Sequence, residues 1–221
     1  YRYTANFVDS WSIDEIILLD ITREENRNTD KFLEVIYEFS SKCFVPLCVG
    51  GGIRSLNDVK NFLDAGADKV SVNKLIFSNP EIITEASQQY GSQCIVQSID
   101  ARYIKNNFFA YSDHGKILSK WTAKDLAIYA EKIGVGEILL TSIDKDGSLE
   151  GYDNNLNRII SDSVNIPVIA SGGAGKWLDF AKAFNEGKVD AVGTTNIYHF
   201  TETSIKSAKK YLFSRSFDVR I

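Results

Sequence analysis

The sequence has 221 residues, of which 44% are hydrophobic and 24% charged, with a formal net charge of −4. This size and composition predict one globular domain over residues 1–221. The acidic balance and the lack of a basic stripe argue against a nucleic-acid partner, and without a run near ~18 apolar residues we expect no membrane partner. Three cysteines without metal or even disulfide spacing favour a reducing, cytoplasmic compartment, and we expect neither metal nor cofactor.

Short apolar runs alternate with amphipathic stretches along the chain, and this alternation indicates βα units on a parallel sheet. Strands are predicted at residues 15–20, 45–49, 69–72, 94–100, 137–142, 167–170 and 191–194. Helices are predicted at residues 29–41, 56–65, 80–90, 123–133, 155–162, 177–185 and 202–212. The stretch 103–121, after the fourth of these strands, is interpreted as irregular.

The chain repeats itself at an offset of 122 residues. Residues 14–21, DEIILLDI, resemble residues 136–143, GEILLTSI. Likewise, VGGGI at 49–53 falls on SGGAG at 171–175, and residues 68–73 fall on 190–195. A repeat in one register predicts two similar halves whose strands end in small and polar residues.

Seven βα units are one fewer than a closed parallel barrel normally takes. The offset places the repeat partner of the strand that ends at Asp100 near position −22, before Tyr1. We therefore expect a first strand ahead of this sequence. The fold class predicted from the repeat is α/β, a (β/α)8 TIM barrel built from two four-unit halves.

Glycines and polar residues follow strands in matching places of the two halves. In a (β/α)8 barrel the active site lies at the carboxyl ends of the strands. Successive glycine N–H groups make an anion-binding concavity there, and a helix start adds favourable partial charge. Two such cradles predict a ligand with a phosphate at each end, the alternative being that these glycines only form tight turns. The cradles contain Gly51, Gly52 and Asn73 in the first half, and Gly172, Gly173, Thr195 and Asn196 in the second.

Carboxylates follow other strands at the same end. Asp100 ends an apolar run and is the best candidate for a general acid or base, paired with a residue from the expected first strand. The alternative for Asp100, and more so for Asp20, is a solvated or helix-capping aspartate. Asp144 and Asp146 follow the strand at 137–142, and Asp146 is a candidate substrate contact, although an Asp-rich turn would also explain this pair.

Charged residues begin three strands at the opposite end of the predicted barrel. Glu15, Lys69 and Glu137 lie where a barrel base is normally packed with apolar side chains. Buried charges need partners, and this set supplies both signs. The alternatives are a structural ring of salt bridges and a polar opening at the base.

Four stretches, residues 47–73, 98–102, 136–153 and 167–200, closely resemble the cyclase subunit family of imidazole glycerol phosphate synthase. The string GEILLTSIDKDG at 136–147, followed by GYD at 151–153, is highly specific, and IASGGAGK at 169–176 adds to it. The resemblance covers nearly the whole sequence. It implies a (β/α)8 barrel with half-barrel symmetry, in agreement with the repeat.

The resemblance also implies a lyase-type reaction in histidine biosynthesis, without a cofactor. A glutaminase subunit docked at the barrel base supplies ammonia through the barrel. The ammonia converts a bis-phosphorylated ribulosyl formimino-aminoimidazole carboxamide ribotide into imidazole glycerol phosphate. By resemblance, Asp100 is catalytic and Asp68 faces the glutaminase. The implied phosphate contacts are Gly52, Asn73, Gly173, Thr195 and Asn196, and the implied ammonia gate is Glu15, Lys69 and Glu137.

The sequence departs from the family pattern near the expected ligand. Lys74 follows Asn73 where the family usually has a small hydroxylic residue, and Asn196 stands where the family usually has serine. The segment 103–121 lacks the usual threonine-glycine element. These departures keep two alternatives open: a paralogue that delivers ammonia for sugar amidation in surface-glycan biosynthesis, and a non-catalytic ammonia-channelling partner. A sister isomerase with the same symmetry fits less well, because it would not carry a glutaminase-facing gate.

Overall fold

A computed structural model of the protein describes residues 13–195, 197 and 205–220. By its internal contacts the chain divides into two units. Unit 1 comprises Tyr1–Val96 with Ile133–Val135, and unit 2 comprises Gln97–Lys132 with Gly136–Ile221. The single domain over residues 1–221 therefore stays a prediction, and each unit is described by itself.

Unit 1 contains parallel strands separated by helices. Strand β1 pairs with β2, and β2 with β3, in parallel in both cases. Two short 3-10 helices, Glu24–Asn26 and Ser92–Cys94, lie in the connections. The strands are β1 (Ile16–Leu19), β2 (Leu47–Gly50) and β3 (Lys69–Val72), and the helices are α1 (Thr29–Ser40), α2 (Leu56–Asp64), α3 (Leu75–Ser78) and α4 (Glu81–Tyr90).

Side-chain caps set where the first two helices begin. Asn28 accepts a hydrogen bond from the backbone N–H of Lys31 at the start of α1. Ser55 and Asp58 form a reciprocal capping box at the start of α2, which satisfies two backbone donors that the helix itself leaves unpaired. The cap at Ser55 leaves five residues between the end of β2 and the start of α2, and this short connection contains the first glycine turn.

Unit 2 contains the rest of the parallel strands and an antiparallel insertion. Strand β7 pairs with β8, and β8 with β9, in parallel. The strands are β4 (Ile95–Ile104, in unit 2 from Gln97 onward), β5 (Asn107–Ser112), β6 (Ile117–Thr122), β7 (Glu137–Ser142), β8 (Val168–Ser171) and β9 (Ala191–Val192). The helices are α5 (Ala123–Lys132), α6 (Asn154–Ser161), α7 (Trp177–Asn185) and α8 (Ile205–Phe213).

These elements confirm the predicted fold class, a parallel-strand α/β fold consistent with a (β/α)8 barrel. Strands of both units are apolar on both faces, as expected where helices cover one side and a core fills the other. Fully buried core side chains include Ile36, Leu47, Val70 and Ile83 in unit 1, and Ile99, Leu126, Ile138, Leu140, Leu156 and Ile160 in unit 2. None of the described helices is both long and apolar enough to cross a membrane.

The interpretation of residues 103–121 as irregular is wrong. Strand β4 runs on to Ile104, and β5 and β6 follow it as an antiparallel hairpin. The tight turn before β5 uses Lys105 and Asn106, which have φ of 49° and 62°. The next turn uses Asp113, His114 and Gly115, with φ of 52°, 57° and 73°. Tight hairpin turns need positive φ, but these sequences contain only one glycine and give a weak signal.

The repeat is confirmed at strand level, with one correction to its offset. Leu18 of β1 lies opposite Val49 of β2, and Leu140 of β7 lies opposite Ala170 of β8. The first strands of the repeat are therefore 122 residues apart (140 − 18), whereas the second strands are 121 apart (170 − 49). The offset of 122 is thus wrong for the glycine turns by one residue, because unit 1 has one more residue between its first two strands.

The three cysteines are free thiols that differ in burial. Cys48 lies in β2 and is buried. Cys94 is only half-buried, because it lies in a 3-10 helix before β4, where its Sγ contacts the carbonyl oxygen of Tyr90 at 3.2 Å.

Candidate functional site

A cleft lies at the carboxyl ends of the parallel strands of unit 2. Four residues predicted to contact substrate line it together, namely Asp146, Gly172, Gly173 and Thr195. The cleft offers solvent about 60 Å³ of space. One water needs about 10–15 Å³ by this measure, so the space suits several waters or a small anion. Its other lining residues are Gly147, Leu149, Ser171, Ala174 and Thr194.

The glycine turn in this cleft needs glycine at both positions. Gly172 and Gly173 have φ of 86° and 107°. A Cβ on Gly172 would lie 3.0 Å from the carbonyl oxygen of Ser142, and one on Gly173 would lie 2.3 Å from that of Gly151. The N–H of Gly151 donates to Gly173 O at 2.7 Å, so backbone groups hold this turn. In the part of the chain that the structure describes, the N–H groups of Gly172 and Gly173 have no acceptor. Such donors suit an anion.

The corresponding turn of unit 1 lies against Asp20 and Arg27. Gly51 and Gly52 have φ of 114° and 75°. A Cβ on Gly51 would lie 2.3 Å from the carbonyl oxygen of Asp20, and one on Gly52 would lie 2.6 Å from Nη1 of Arg27. The space beside this turn is about 20 Å³, enough for one water. Asn73, predicted to contribute to this cradle, directly follows β3 and is half-buried.

Asp20 is in an ion pair beside the first glycine turn rather than solvated or capping a helix. Its Oδ2 lies 3.1 Å from Nε of Arg27, and its Oδ1 accepts the backbone N–H of Thr22 at 2.9 Å. Burial by itself would raise the pKa of the Asp20 carboxyl. The hydrogen bonds from Thr22 and Arg27 outweigh burial, and they lower that pKa below its ordinary value. Asp20 is therefore a negatively charged structural group near neutral pH.

Asp100 lies in β4 directly opposite Tyr111 of β5, and it is half-buried. Directly opposite residues of an antiparallel pair have side chains on the same face. Arg102, two residues along β4, lies on that face too, with its guanidinium 5.4 Å from the centre of the Tyr111 ring. The Arg102 Nε is 3.0 Å from Oδ1 of Asp144. The predicted catalytic carboxylate thus has a phenol and a guanidinium on its face of the hairpin.

Asp144 lies in an ion pair, whereas Thr195, after β9, lines the cleft of unit 2. The carboxylate of Asp144 pairs with Arg102 and accepts the backbone N–H of Tyr103 at 3.2 Å, so it anchors the start of the hairpin. Thr195 lines the unit 2 cleft, whereas Asn196 lies outside the described residues.

Of the three charged residues at the amino ends of the strands, Glu15 and Lys69 form an ion pair. In unit 1, Lys69 Nζ lies 2.8 Å from Glu15 Oε2, and the two side chains are 21% and 25% exposed. Glu137 begins β7 in unit 2 and is half-buried. The structure therefore shows a Glu15–Lys69 ion pair, while the gate of three residues stays a prediction. Asp68 is exposed, and its Oδ2 accepts the backbone N–H of Leu47 at 2.8 Å.

Three residues of this geometry were not predicted from the sequence: Arg27, Arg102 and Tyr111. Arg27 had no repeat signal, because the positions 121 and 122 residues later are Ser148 and Leu149. Tyr111 belongs to the segment that was interpreted as irregular, and Arg102 lies in β4 directly before that segment. Among the described residues, no group of three His, Cys, Asp or Glu side chains is placed to hold a metal ion.

The chain is similar to known proteins over almost its whole length. It matches the family model described as histidine biosynthesis protein over residues 3–204. It is 47% identical over 209 residues to the imidazole glycerol phosphate synthase subunit HisF of Dehalococcoides mccartyi, covering 94% of this chain and 82% of that protein. The proteins of the same name from Clostridium botulinum and Chlorobium phaeovibrioides are 44% and 42% identical, over 98% of this chain and 86% of each relative. The chain therefore belongs to the histidine biosynthesis protein family.

Proposed function

We propose that this protein is the cyclase subunit of imidazole glycerol phosphate synthase and acts in the cytoplasm. Its substrate is a bis-phosphorylated ribulosyl formimino-aminoimidazole carboxamide ribotide, and its products are imidazole glycerol phosphate and an aminoimidazole carboxamide ribotide. One observation supports this most strongly. Each unit has a glycine pair at a strand end, and in the described structure the N–H groups of both pairs have no acceptor. The relatives named as synthase subunits support the same reaction.

Two cradles of this kind suit a ligand with a phosphate at each end. Backbone N–H donors bind a phosphate without net positive charge, which agrees with an acidic protein. In unit 2, Thr195 adds a hydroxyl to the cleft beside Gly173. In unit 1, Asn73 adds an amide after β3. The cradles bind the two phosphates, and the reacting centre lies between the phosphates along the ligand.

Asp100 supplies the proton transfers of the reaction. Ammonia must lose protons as its nitrogen attacks the ribulosyl carbonyl carbon, whose oxygen leaves as water. Ring closure then breaks the bond from the formimino carbon to the aminoimidazole carboxamide ribotide, whose nitrogen must gain a proton. A half-buried carboxylate in β4, at the first residue of that strand that pairs with β5, is suited to exchange protons at such a centre. Asp146, in the unit 2 cleft, contacts the substrate beside its phosphate.

A glutaminase subunit supplies the ammonia at the amino ends of the strands. The Glu15–Lys69 ion pair lies at that end, where a closed barrel base would otherwise be apolar. We propose that this pair, with Glu137, forms the entrance that ammonia passes. Asp68, exposed at the same end of β3, faces the partner. The names of the relatives, which call them subunits, support a partner chain.

The proposal is tested by turnover of the bis-phosphorylated substrate with an ammonium salt as the nitrogen source, using the full-length protein. We expect the wild-type protein to form imidazole glycerol phosphate. Asp100→Asn should lower kcat by about 10²- to 10⁴-fold, the usual contribution of a general acid or base. Asp64→Asn is the control, because Asp64 is an exposed carboxylate paired with Lys60 on the same helix. A wild-type protein that does not turn over this substrate contradicts the proposal.

A second candidate, the sugar-amidation paralogue, is favoured by Lys74. This exposed residue follows Asn73 directly at the start of α3, where its ammonium group would change the environment of a bound phosphate. Deletion of the gene distinguishes the two functions: histidine auxotrophy supports the synthase, and loss of surface glycan without auxotrophy supports the paralogue. A channelling partner without chemistry of its own predicts that glutaminase stimulation survives Asp100→Asn and that no cyclase turnover occurs.

A further inference from the structure

Two oppositely charged side chains of unit 1 lie directly against the glycines of its cradle. A methyl group on Gly51 would lie 2.3 Å from the backbone carbonyl oxygen of Asp20 and 2.9 Å from its Cβ. A methyl group on Gly52 would lie 2.8 Å from Cζ of Arg27, within the planar guanidinium. Gly52 is therefore packed against the guanidinium of Arg27, and Gly51 against the main chain and Cβ of its ion-pair partner Asp20. Together the two residues form a wall behind the turn.

This wall is itself held on several sides. Besides the ion pair, Nη2 of Arg27 donates to the carbonyl oxygen of Thr22 at 2.8 Å. The N–H of Thr22 in turn donates to Asp20 at 2.9 Å. The Arg27 and Asp20 side chains are only 15% and 9% exposed. A guanidinium with two fixed hydrogen bonds and little exposure has few other positions to adopt, so the wall is rigid.

A rigid neighbour can restrict the conformation of the turn, because two successive glycines do not restrict their own backbone dihedral angles. Glycine has more backbone freedom than any other residue, and N–H groups bind an anion best when they are already oriented. Unit 2 orients its turn through the Gly151–Gly173 backbone hydrogen bond. In the described part of unit 1, no backbone hydrogen bond reaches the carbonyl oxygen of Gly51 or Gly52. The side-chain pair therefore takes the place of that backbone contact.

We propose that Asp20 and Arg27 are positioning residues that hold the Gly51–Gly52 turn in its anion-binding conformation. This inference rests on the proposed function, because it assigns the turn to one phosphate of the substrate. The two cradles then bind chemically similar groups but are oriented by different means. In unit 1 the means is an ion pair, and in unit 2 it is the backbone.

The test follows the glycine amides by NMR while inorganic phosphate is added to the full-length protein. Shifts of the Gly51 and Gly52 amides give the phosphate Kd of the first cradle, and shifts of Gly172 and Gly173 give that of the second. We expect Arg27→Gln to raise the Kd of the first cradle about tenfold and to leave the second within about twofold. Arg27→Lys, which keeps the charge but not the planar fork, should fall between. Arg158→Gln, an exposed arginine on α6, is the control and should change neither Kd.

Each contrary result has a separate meaning. An unchanged first-cradle Kd in a folded Arg27→Gln protein overturns the inference, as does an equal rise in both cradles, which would indicate general loosening. The absence of phosphate shifts at Gly51 and Gly52 in the wild-type protein also overturns it. The proposed function is judged by the wild-type turnover instead. A protein that turns over the substrate while Arg27→Gln leaves both Kd and KM unchanged contradicts only the positioning role.

Discussion

Asp68 and Asp190 make the same two hydrogen bonds in their respective units. The Asp68 carboxylate accepts the backbone N–H of Leu47 at 2.8 Å, and its own N–H donates to Leu47 O at 2.9 Å. Asp190 does the same with Val168, at 2.9 and 3.0 Å. Each aspartate directly precedes one strand and is hydrogen-bonded to the first residue of the neighbouring strand. Asp68, which the family resemblance assigns to the partner interface, also has a structural role.

We therefore expect Asp68→Ala and Asp190→Ala each to lower the free energy of unfolding by about 1–2 kcal/mol, because each removes the charged acceptor of a backbone N–H. Chemical denaturation measures the change, with Asp64→Ala as an exposed control. If Asp68→Ala weakens glutaminase binding but leaves unfolding unchanged, Asp68 acts at the interface alone.

The crowding at Gly52 predicts that alanine at this position lowers the free energy of unfolding by more than backbone strain alone would. Gly52 and Gly147 share a φ of 75°, but a methyl group would meet Arg27 at Gly52 and nothing within 4 Å at Gly147. Gly147→Ala should cost about 1–2 kcal/mol from the left-handed backbone alone. Gly52→Ala should cost at least about 1 kcal/mol more, since Arg27 must leave Asp20. Equal costs in denaturation would show that the guanidinium moves aside freely.

The ion pair at Asp20 predicts a loss of stability in acid. The pKa of Asp20 is lower in the folded protein than its ordinary value near 3.8, so the charged carboxylate stabilises the fold above that pH. This contribution is lost as the pH falls below about 3.8 and towards the folded pKa. Asp20→Asn should therefore flatten the acid side of the stability curve, measured by thermal unfolding at several pH values.

Asp162 provides a comparison for that experiment. Its pKa is also lowered, mainly by a hydrogen bond from Arg158, but this pair is exposed on α6. Salt screens exposed pairs far more than buried ones. The effect of Asp162→Asn should vanish at about 1 M salt, whereas that of Asp20→Asn should persist. Identical salt dependence would contradict the burial of the Asp20–Arg27 pair.

The Glu15–Lys69 ion pair predicts a variant that separates the two nitrogen sources. Lys69→Met removes the cation at the proposed ammonia entrance while keeping a long side chain. Turnover with an ammonium salt should change little, and turnover driven by glutamine through the partner should fall several-fold. Lys60→Met, an exposed lysine on α2, should affect neither rate. A parallel fall of both rates in Lys69→Met would point to a role of this residue in folding rather than in ammonia transfer.

Repetition and periodicity predicted most of the fold because they depend on many residues at once. The parallel strands, their order and the glycine turns follow from patterns that one atypical residue does not obscure. The β5–β6 hairpin was missed because of the turns before β5 and between β5 and β6. These turns place Lys105, Asn106, Asp113 and His114 at positive φ, where glycine would be the recognisable signal. Arg27 was missed because a single arginine in a loop belongs to no repeating sequence pattern. Its contact with Gly52 depends on the three-dimensional positions of α1 and β2, which the sequence pattern does not give.

The unequal spacing of the two halves also shows where they diverged. The offset is 122 between Leu18 and Leu140, 121 between Cys48 and Ile169, and 122 again between Lys69 and Ala191. Two connections between corresponding strands therefore differ in length by one residue between the two halves. The first of them contains Arg27. A chain engineered from two copies of the strands and turns of unit 2 would contain two glycine turns held by a backbone hydrogen bond. It would not need a counterpart of Arg27.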